Sequence, residues 1–326
     1  MKKHFIPLLS LILVSMFAYF YGCSNETTPV STGTTVSRII SNGSIVPTNH
    51  TQASGSMFVT DQDGNPISGL TSSNVTAQLK WGADMIKDST IGTVTVTSNS
   101  SQGSNVAGAI TMDYSGSMGT QQLDCMENGV LAYINAMKSG DLTEIIKFST
   151  SVAVVQSFTS DKNLLRVADT SYWSGTGGTT ALYQSIYQGT NDAKIQSSSF
   201  VRAVVAFTDG GENASSVTRP TMISNALTSG IPVYTVFLYS DTSNSYYRDM
   251  KNIADTTGGF NFWVKPDSCS NLAQIYNKIS GQLVGSYSIV INWQGNLPPA
   301  GTTVNATITT TYNGMVSSFT KSFIML

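Results

Sequence analysis

"VAGAITMDYSGSMG", residues 106–119, decides how the chain is read. A short apolar run ends in Asp113, Ser115 and Ser117 at alternate positions, with Gly116 between the two serines. A continuous apolar run of this length reads as a strand buried on both faces, the kind found inside parallel sheets. In open sheets of that type ligands bind at the carboxyl ends of the strands. The three oxygen side chains therefore stand where a ligand site belongs. Taken alone they have a plainer reading, because Asp and Ser also favour helix caps and turns.

The surroundings of this stretch alternate strand and helix. "QQLDCMENGVLAYINAMK" spaces Leu123, Met126, Val130, Ile134 and Met137 at helical intervals. "TEIIKFST" and "VAVVQSF" read as two strands, and "ALYQSIYQGTNDAKI" as a helix. "FVRAVVAFT" is an apolar strand, "TMISNALTSG" a helix stopped at Gly230, and "IPVYTVFLY" another strand. "YYRDMKNIADTTGG", "FNFWV" and "SNLAQIYNKISGQL" complete the pattern as helix, strand and helix. Residues 105–284 are thus expected to form an α/β domain, a doubly wound, mostly parallel sheet covered on both faces.

Two further loops of this domain offer matching chemistry. "SGTGGTTALY" precedes a helix and carries Thr179, and the strand "VVAFT" ends in Asp209 within "TDGGEN". Asp113, Ser115, Ser117, Thr179 and Asp209 are all hard oxygen donors, with no His or Cys among them. Such a set suits Mg²⁺, Mn²⁺ or Ca²⁺ and not zinc. With only two carboxylates the site stays close to neutral when a divalent ion is bound, and so leaves room for a carboxylate from outside.

These residues resemble the metal-ion-dependent adhesion site (MIDAS) of the von Willebrand factor type A (VWA) family. The D-x-S-x-S motif is met by Asp113, Ser115 and Ser117, the second-loop threonine by Thr179 and the third-loop aspartate by Asp209. "IADTTGGFNF" is similar to the family's stretch before its last strand. The resemblance implies the doubly wound fold, with Ser115, Ser117 and Thr179 approaching the ion directly and Asp113 and Asp209 acting through waters. A partner's Asp or Glu then completes the coordination. Integrin β-type relatives add a second ion on an acidic pair that falls here at Thr120 and Gln121, so no second ion of that type is expected. In the family's fold the first and last helices are neighbours. The resemblance therefore implies a Cys125–Cys269 disulfide that restrains the last helix, the other reading being two buried free thiols.

The flanks differ in character. Lys2 and Lys3 precede the 17-residue apolar run "FIPLLSLILVSMFAYFY", which ends at Gly22-Cys23. This is the layout of a secretory signal, residues 1–22. It resembles a bacterial lipobox with Cys23 as the lipidated residue, departing from that pattern at Phe20 and Tyr21. A membrane anchor or an ordinary cleavage site are the other readings, and all three export the remainder. Residues 23–36 read as a flexible tether, whose 13 residues after Cys23 reach about 45 Å when extended. Segments 37–104 and 285–326 alternate as short strands, and "DQDGNP" between two of them reads as a β-turn. Neither flank makes a sandwich alone, so the two are expected to pair into one small Ig-like all-β sandwich with the α/β domain inserted in it.

Composition narrows function. Of 326 residues only 11% are charged, with a net charge of −2. Loss of residues 1–22 leaves 15 basic against 19 acidic groups, a net charge of −4. There is no basic stripe for nucleic acid. Beyond the signal the chain has one histidine, His50, and it contains no G-x-S-x-G, H-E-x-x-H or Walker loop. The enzymatic chemistries built on those motifs have no foothold. The sequence points to a lipid-anchored binding protein at a bacterial outer membrane or cell surface, contacting a protein ligand that presents Asp or Glu. A structural scaffold of the envelope is the alternative. Tyr172, Trp173, Tyr246 and Tyr247 stand in loops or at helix starts, where either core packing or partner docking would place them.

Overall fold

The fold is that of a computed structural model, which describes residues 35–82, 88–99, 105–267, 269 and 272–326. The signal, Cys23 and most of the tether lie outside the described residues. Four strands open the chain: β1 (Ile39–Asn49), β2 (Gln52–Asp61), β3 (Val75–Trp81) and β4 (Asp88–Ser98). Then come β5 (Val106–Asp113), α1 (Thr120–Ala136), β6 (Leu142–Phe148), β7 (Val152–Thr159), α2 (Lys162–Thr170) and α3 (Leu182–Lys194). They continue into β8 (Val201–Thr208), α4 (Arg219–Ser229), β9 (Val233–Leu238), α5 (Ser245–Thr257), β10 (Asn261–Val264) and α6 (Leu272–Val284). The chain closes with β11 (Tyr287–Trp293), β12 (Thr303–Tyr312) and β13 (Met315–Ile324).

Strands β5–β10 form one sheet in the order β10-β9-β8-β5-β6-β7. All neighbours are parallel except the edge strand β7, which runs antiparallel to β6. Every residue of β5 and β9 is buried, as strands covered on both faces require. One face carries α1, α2 and α6 through Met126, Val130, Ile134, Leu165, Ile279 and Leu283. The other carries α3, α4 and α5 through Leu182, Ile186, Met222, Ala226, Met250 and Ile253. Local signals end these helices where the sequence does. Thr218 caps α4, and Gly230 closes it with φ 63°. Asn244 caps α5, and Gly258 closes it with φ 90°. The short helix α2 is absent from the sequence reading. Its nine residues are set by Asp161, whose carboxylate accepts from the amides of Asn163 and Leu164.

The two flanks do meet, but not as the expected Ig-like sandwich. Their seven strands make one continuous antiparallel sheet in the order β1-β2-β11-β4-β3-β12-β13. β11 enters between β2 and β4, so residues from beyond the α/β domain lie inside the sheet formed by those before it. The sheet curls until its edges approach, where Ser41 N and Oγ donate to Ser317 Oγ at 2.9 and 3.0 Å. One curled sheet can wrap a core of Ile45, Met57, Leu79, Tyr287, Ile291 and Ile308 without a second layer. The "DQDGNP" turn closes on itself as expected: Asp61 Oδ1 accepts from Asp63 N and Asn65 N at 2.8 and 2.9 Å.

The curled sheet and the α/β sheet share side chains. Phe58 of β2 is buried and meets Tyr234 of β9 edge-on at 6.0 Å. Gly258 abuts Gly43 so closely that a Cβ there would lie 2.5 Å from the Gly43 carbonyl carbon. Among the described residues no helix is long and apolar enough to cross a membrane.

Candidate metal centre

β5 and β8 lie side by side with Met112 opposite Phe207. Their carboxyl ends therefore deliver Asp113 and, one residue past the strand, Asp209 to the same edge. Asp113 is fully buried. Its Oδ1 accepts from Ser115 N at 2.8 Å and its Oδ2 from Thr208 Oγ1 at 2.6 Å. Ser115 Oγ and Ser117 Oγ are 3.2 Å apart, and Ser117 Oγ donates to Asp209 Oδ1 at 2.8 Å. Gln122 Nε2 reaches the other oxygen of Asp209 at 3.4 Å. Four of the five sequence-predicted residues are thus linked by hydrogen bonds across 96 positions of chain, Asp113 to Asp209.

The fifth, Thr179, sits on the adjoining loop. Its amide and hydroxyl both donate to Thr150 Oγ1, at 3.0 and 2.9 Å. Two backbone hydrogen bonds tie this loop to the first one: Gly116 N to Gly178 O at 3.0 Å, and Gly177 N to Tyr114 O at 2.7 Å. These contacts explain Gly116. Its φ is not positive; what crowds a side chain there is the second loop, since a Cβ would lie 3.1 Å from Gly178 O and the two loops would have to part by a few tenths of an ångström. The left-handed conformation belongs instead to Gly177 and Gly178, at φ 95° and 78°.

The electrostatics fit a cation. Burial pushes the Asp113 carboxyl up to about 6, and the nearby Asp209 charge adds to the effect. Burial also raises Asp209. Two carboxylates held together out of water repel each other and disfavour ionisation. A divalent ion among Asp113, Asp209 and the hydroxyls of Ser115, Ser117 and Thr179 would reverse that penalty, and hard oxygen donors are the ligands Mg²⁺ takes. Among the described residues, no three of the His, Cys, Asp and Glu side chains gather in a metal-binding group, so this set relies on its hydroxyls.

Beneath the first loop lies a buried cation. Lys147 Nζ donates to Asp169 O and Ser171 O, both at 2.8 Å, and stands 4.7 Å over the Tyr114 ring. Tyr114 OH donates to Glu127 Oε1 at 2.7 Å. Tyr114 stands between Asp113 and Ser115, so these contacts hold the loop from below. The Asp169 side chain beside them is buried, which pushes its carboxyl up to about 8. Sequence reasoning missed Lys147, Thr208, Thr150 and Gln122. Lys147 had left a signal, as the one cation within the strand "TEIIKF".

Cys125 of α1 and Cys269, just before α6, are joined in a disulfide with Cα atoms 5.4 Å apart. Of the four aromatics flagged from sequence, Tyr172 is 89% exposed and Tyr246 is 47% exposed. Trp173 meets Tyr114 edge-on at 5.9 Å, and Tyr247 lies against Phe237 at 5.8 Å.

The model of the von Willebrand factor type A domain family matches residues 109–212. That span contains all five candidate ligands. Similar solved structures include an aerotolerance-related membrane protein from Bacteroides fragilis, 18% identical, covering 55% of this chain and 98% of that one, with a TM-score of 0.45. The vWF domain of the type V pili tip protein Mfa5 from Porphyromonas gingivalis is 12% identical, covering 54% of this chain and 94% of that one (TM-score 0.43). Proximal thread matrix protein 1 from the mussel byssus, with a zinc-occupied MIDAS motif, is 13% identical, covering 56% of this chain and 48% of that one (TM-score 0.45). Among curated proteins none matches the sequence.

Proposed function

We propose that this chain is an exported binding protein that captures a protein ligand by its Asp or Glu through a divalent ion, Mg²⁺ or in its place Mn²⁺ or Ca²⁺. Ser115, Ser117 and Thr179 would contact the ion directly, and Asp113 and Asp209 through waters. The observation that carries this reading is the hydrogen-bonded run from Asp113 through Ser115 and Ser117 to Asp209 at one sheet edge. The family match over residues 109–212 supports it. In the same reading residues 1–22 are the export signal, Cys23 carries the lipid, 23–36 tether the domain to the membrane, and 105–284 form the VWA domain between its two flanks. No enzymatic step is proposed. His50 stands in the β1–β2 hairpin, its Nδ1 2.8 Å from Leu326 O.

The test is metal binding followed by capture. Mg²⁺ and Mn²⁺ titrated calorimetrically into the exported chain should bind saturably. Asp113→Ala and Ser115→Ala should each weaken that binding at least about tenfold. Capture of surface proteins from the same organism should need the ion and vanish with EDTA. The scaffold reading has its own support, in the hydrogen bonds that tie the loops to each other and in the core shared by the two sheets. It predicts metal binding with capture unchanged by EDTA.

A further inference from the structure

A cleft of about 730 Å³ opens between the curled sheet and the α/β domain, away from the candidate metal centre. It is bounded by the starts of β8 and β9, the opposite ends of those strands from Asp209. Its size falls within the roughly 300–1,000 Å³ of small-molecule sites. Its walls are rich in hydroxyls, among them Ser54, Ser56 and Ser288 from the sheet and Ser229 from the end of α4. Ser229 Oγ is buried and has no hydrogen-bond partner.

Among the described residues Arg202 is the one charged side chain of the lining, with no Asp or Glu side chain beside it; Leu326 also lines the cleft, its backbone O 2.8 Å from His50 Nδ1. Its guanidinium donates to Lys194 O at 3.1 Å, and it belongs to neither salt bridge found among the described residues. It is partly buried, and burial alone pulls its pKa below the usual guanidinium range. A partly desolvated guanidinium with no side-chain carboxylate among the described lining residues attracts an anion, and its planar shape fits a carboxylate in particular. Phe200, two residues before Arg202 and also in the lining, is half-buried and offers an apolar surface beside the charge.

We propose that this cleft binds an acidic saccharide, its carboxylate on Arg202, its ring against Phe200 and its hydroxyls on the serine-lined walls. A lone inorganic anion would use the charge but neither the volume nor the hydroxyls. The site is independent of the metal, and so is its test.

Trigalacturonic acid titrated calorimetrically into the full chain, with EDTA present throughout, should bind saturably. Arg202→Gln should lower the affinity tenfold or more, in line with loss of a charge-assisted hydrogen bond. Ser288→Tyr, which projects into the cleft from an exposed sheet position, should lower it with Arg202 intact. Circular dichroism checks that both variants remain folded. The neutral maltotriose should bind at least tenfold more weakly. The proposal is overturned if trigalacturonic acid shows no saturable binding, if either folded variant keeps the parent affinity, or if maltotriose or inorganic sulfate binds as tightly as the acidic saccharide.

Discussion

Asp113 depends on a neighbour that the motif does not name. Thr208 Oγ1 donates to its Oδ2 at 2.6 Å and accepts from Gly210 N at 2.9 Å, bridging the first and third loops. Thr208→Val keeps the shape and removes both bonds. It should cost about 1–3 kcal/mol in urea unfolding and weaken Mg²⁺ binding in the same variant, since the carboxylate loses its orientation. Asp113, Ser115, Ser117 and Asp209 were legible because they end apolar runs. Thr208 was not, because its role follows from β5 lying beside β8, a pairing that no local spacing encodes. Another buried carboxyl lies away from the site. Glu144 of β6 is buried, which pushes its carboxyl up to about 8, and the Asp192 charge adds to this. The folded chain therefore keeps a proton that the unfolded chain releases between the ordinary 4.5 and about 8. Its contribution to stability is full below about 4.5 and is lost as pH rises through 8. Glu144→Gln should flatten the dependence of unfolding free energy on pH in that window, by at most about 1.4 kcal/mol per pH unit. Urea titrations at several pH values would give parallel slopes for parent and variant if no proton is held there.

Helix α6 is held at both ends. The Cys125–Cys269 bond ties the segment before it to α1, and its last turn sits under the β2–β3 connection, where Gln282 Nε2 donates to Gly64 O at 3.2 Å. Pro66 lies over Gly281 of that turn and Gly285 just past it, but at different distances. A Cβ on Gly285 would stand 2.6 Å from Pro66 Cβ, whereas one on Gly281 would stand 3.8 Å from the ring. Gly285→Ala should therefore destabilise the chain by about 1–3 kcal/mol. Gly281→Ala, in a helix interior with room for a methyl, should be neutral or stabilising by up to about 1 kcal/mol. Thermal unfolding of the two variants separates them, and equal shifts would mean that Pro66 does not bear on the helix. The long periodic helices were readable from sequence, since α1, α3, α4 and α5 keep apolar residues at helical spacing, and α4 and α5 do so between side-chain caps and stop glycines. Two elements were not. α2 is too short to display a period. β1 buries Ser41 and Ser44 beside Ile39 and Ile45, and Ser44 Oγ lies 3.0 Å from Ser56 Oγ of β2. Buried paired serines break the apolar alternation by which a strand is recognised.

At the scale of the whole molecule the sequence showed that two β flanks exist, and not how they close. Seven alternating strands fit a two-layer sandwich or one curled sheet equally well. The choice rests on β11 entering between β2 and β4, where paired residues lie 189 to 240 positions apart in the chain. That insertion has a mechanical consequence. The α/β domain leaves the curled sheet at β4 and returns to it at β11, so its ends are fixed on neighbouring strands. The two sheets are further joined by Phe58, set edge-on to Tyr234 at 6.0 Å and to Phe260 at 6.4 Å. Lys321 of β13 donates to the carbonyls of Asp255 and Thr256 at the end of α5. A side chain buried between two sheets stabilises both, so they should unfold as one unit. Calorimetry of the parent should give a single transition with equal van't Hoff and calorimetric enthalpies. Phe58→Ala should lower stability by about 3–5 kcal/mol and weaken the coupling, so that the transition broadens or splits. Two resolved transitions in the parent would mean that the sheets fold independently and that Phe58 serves only its own side.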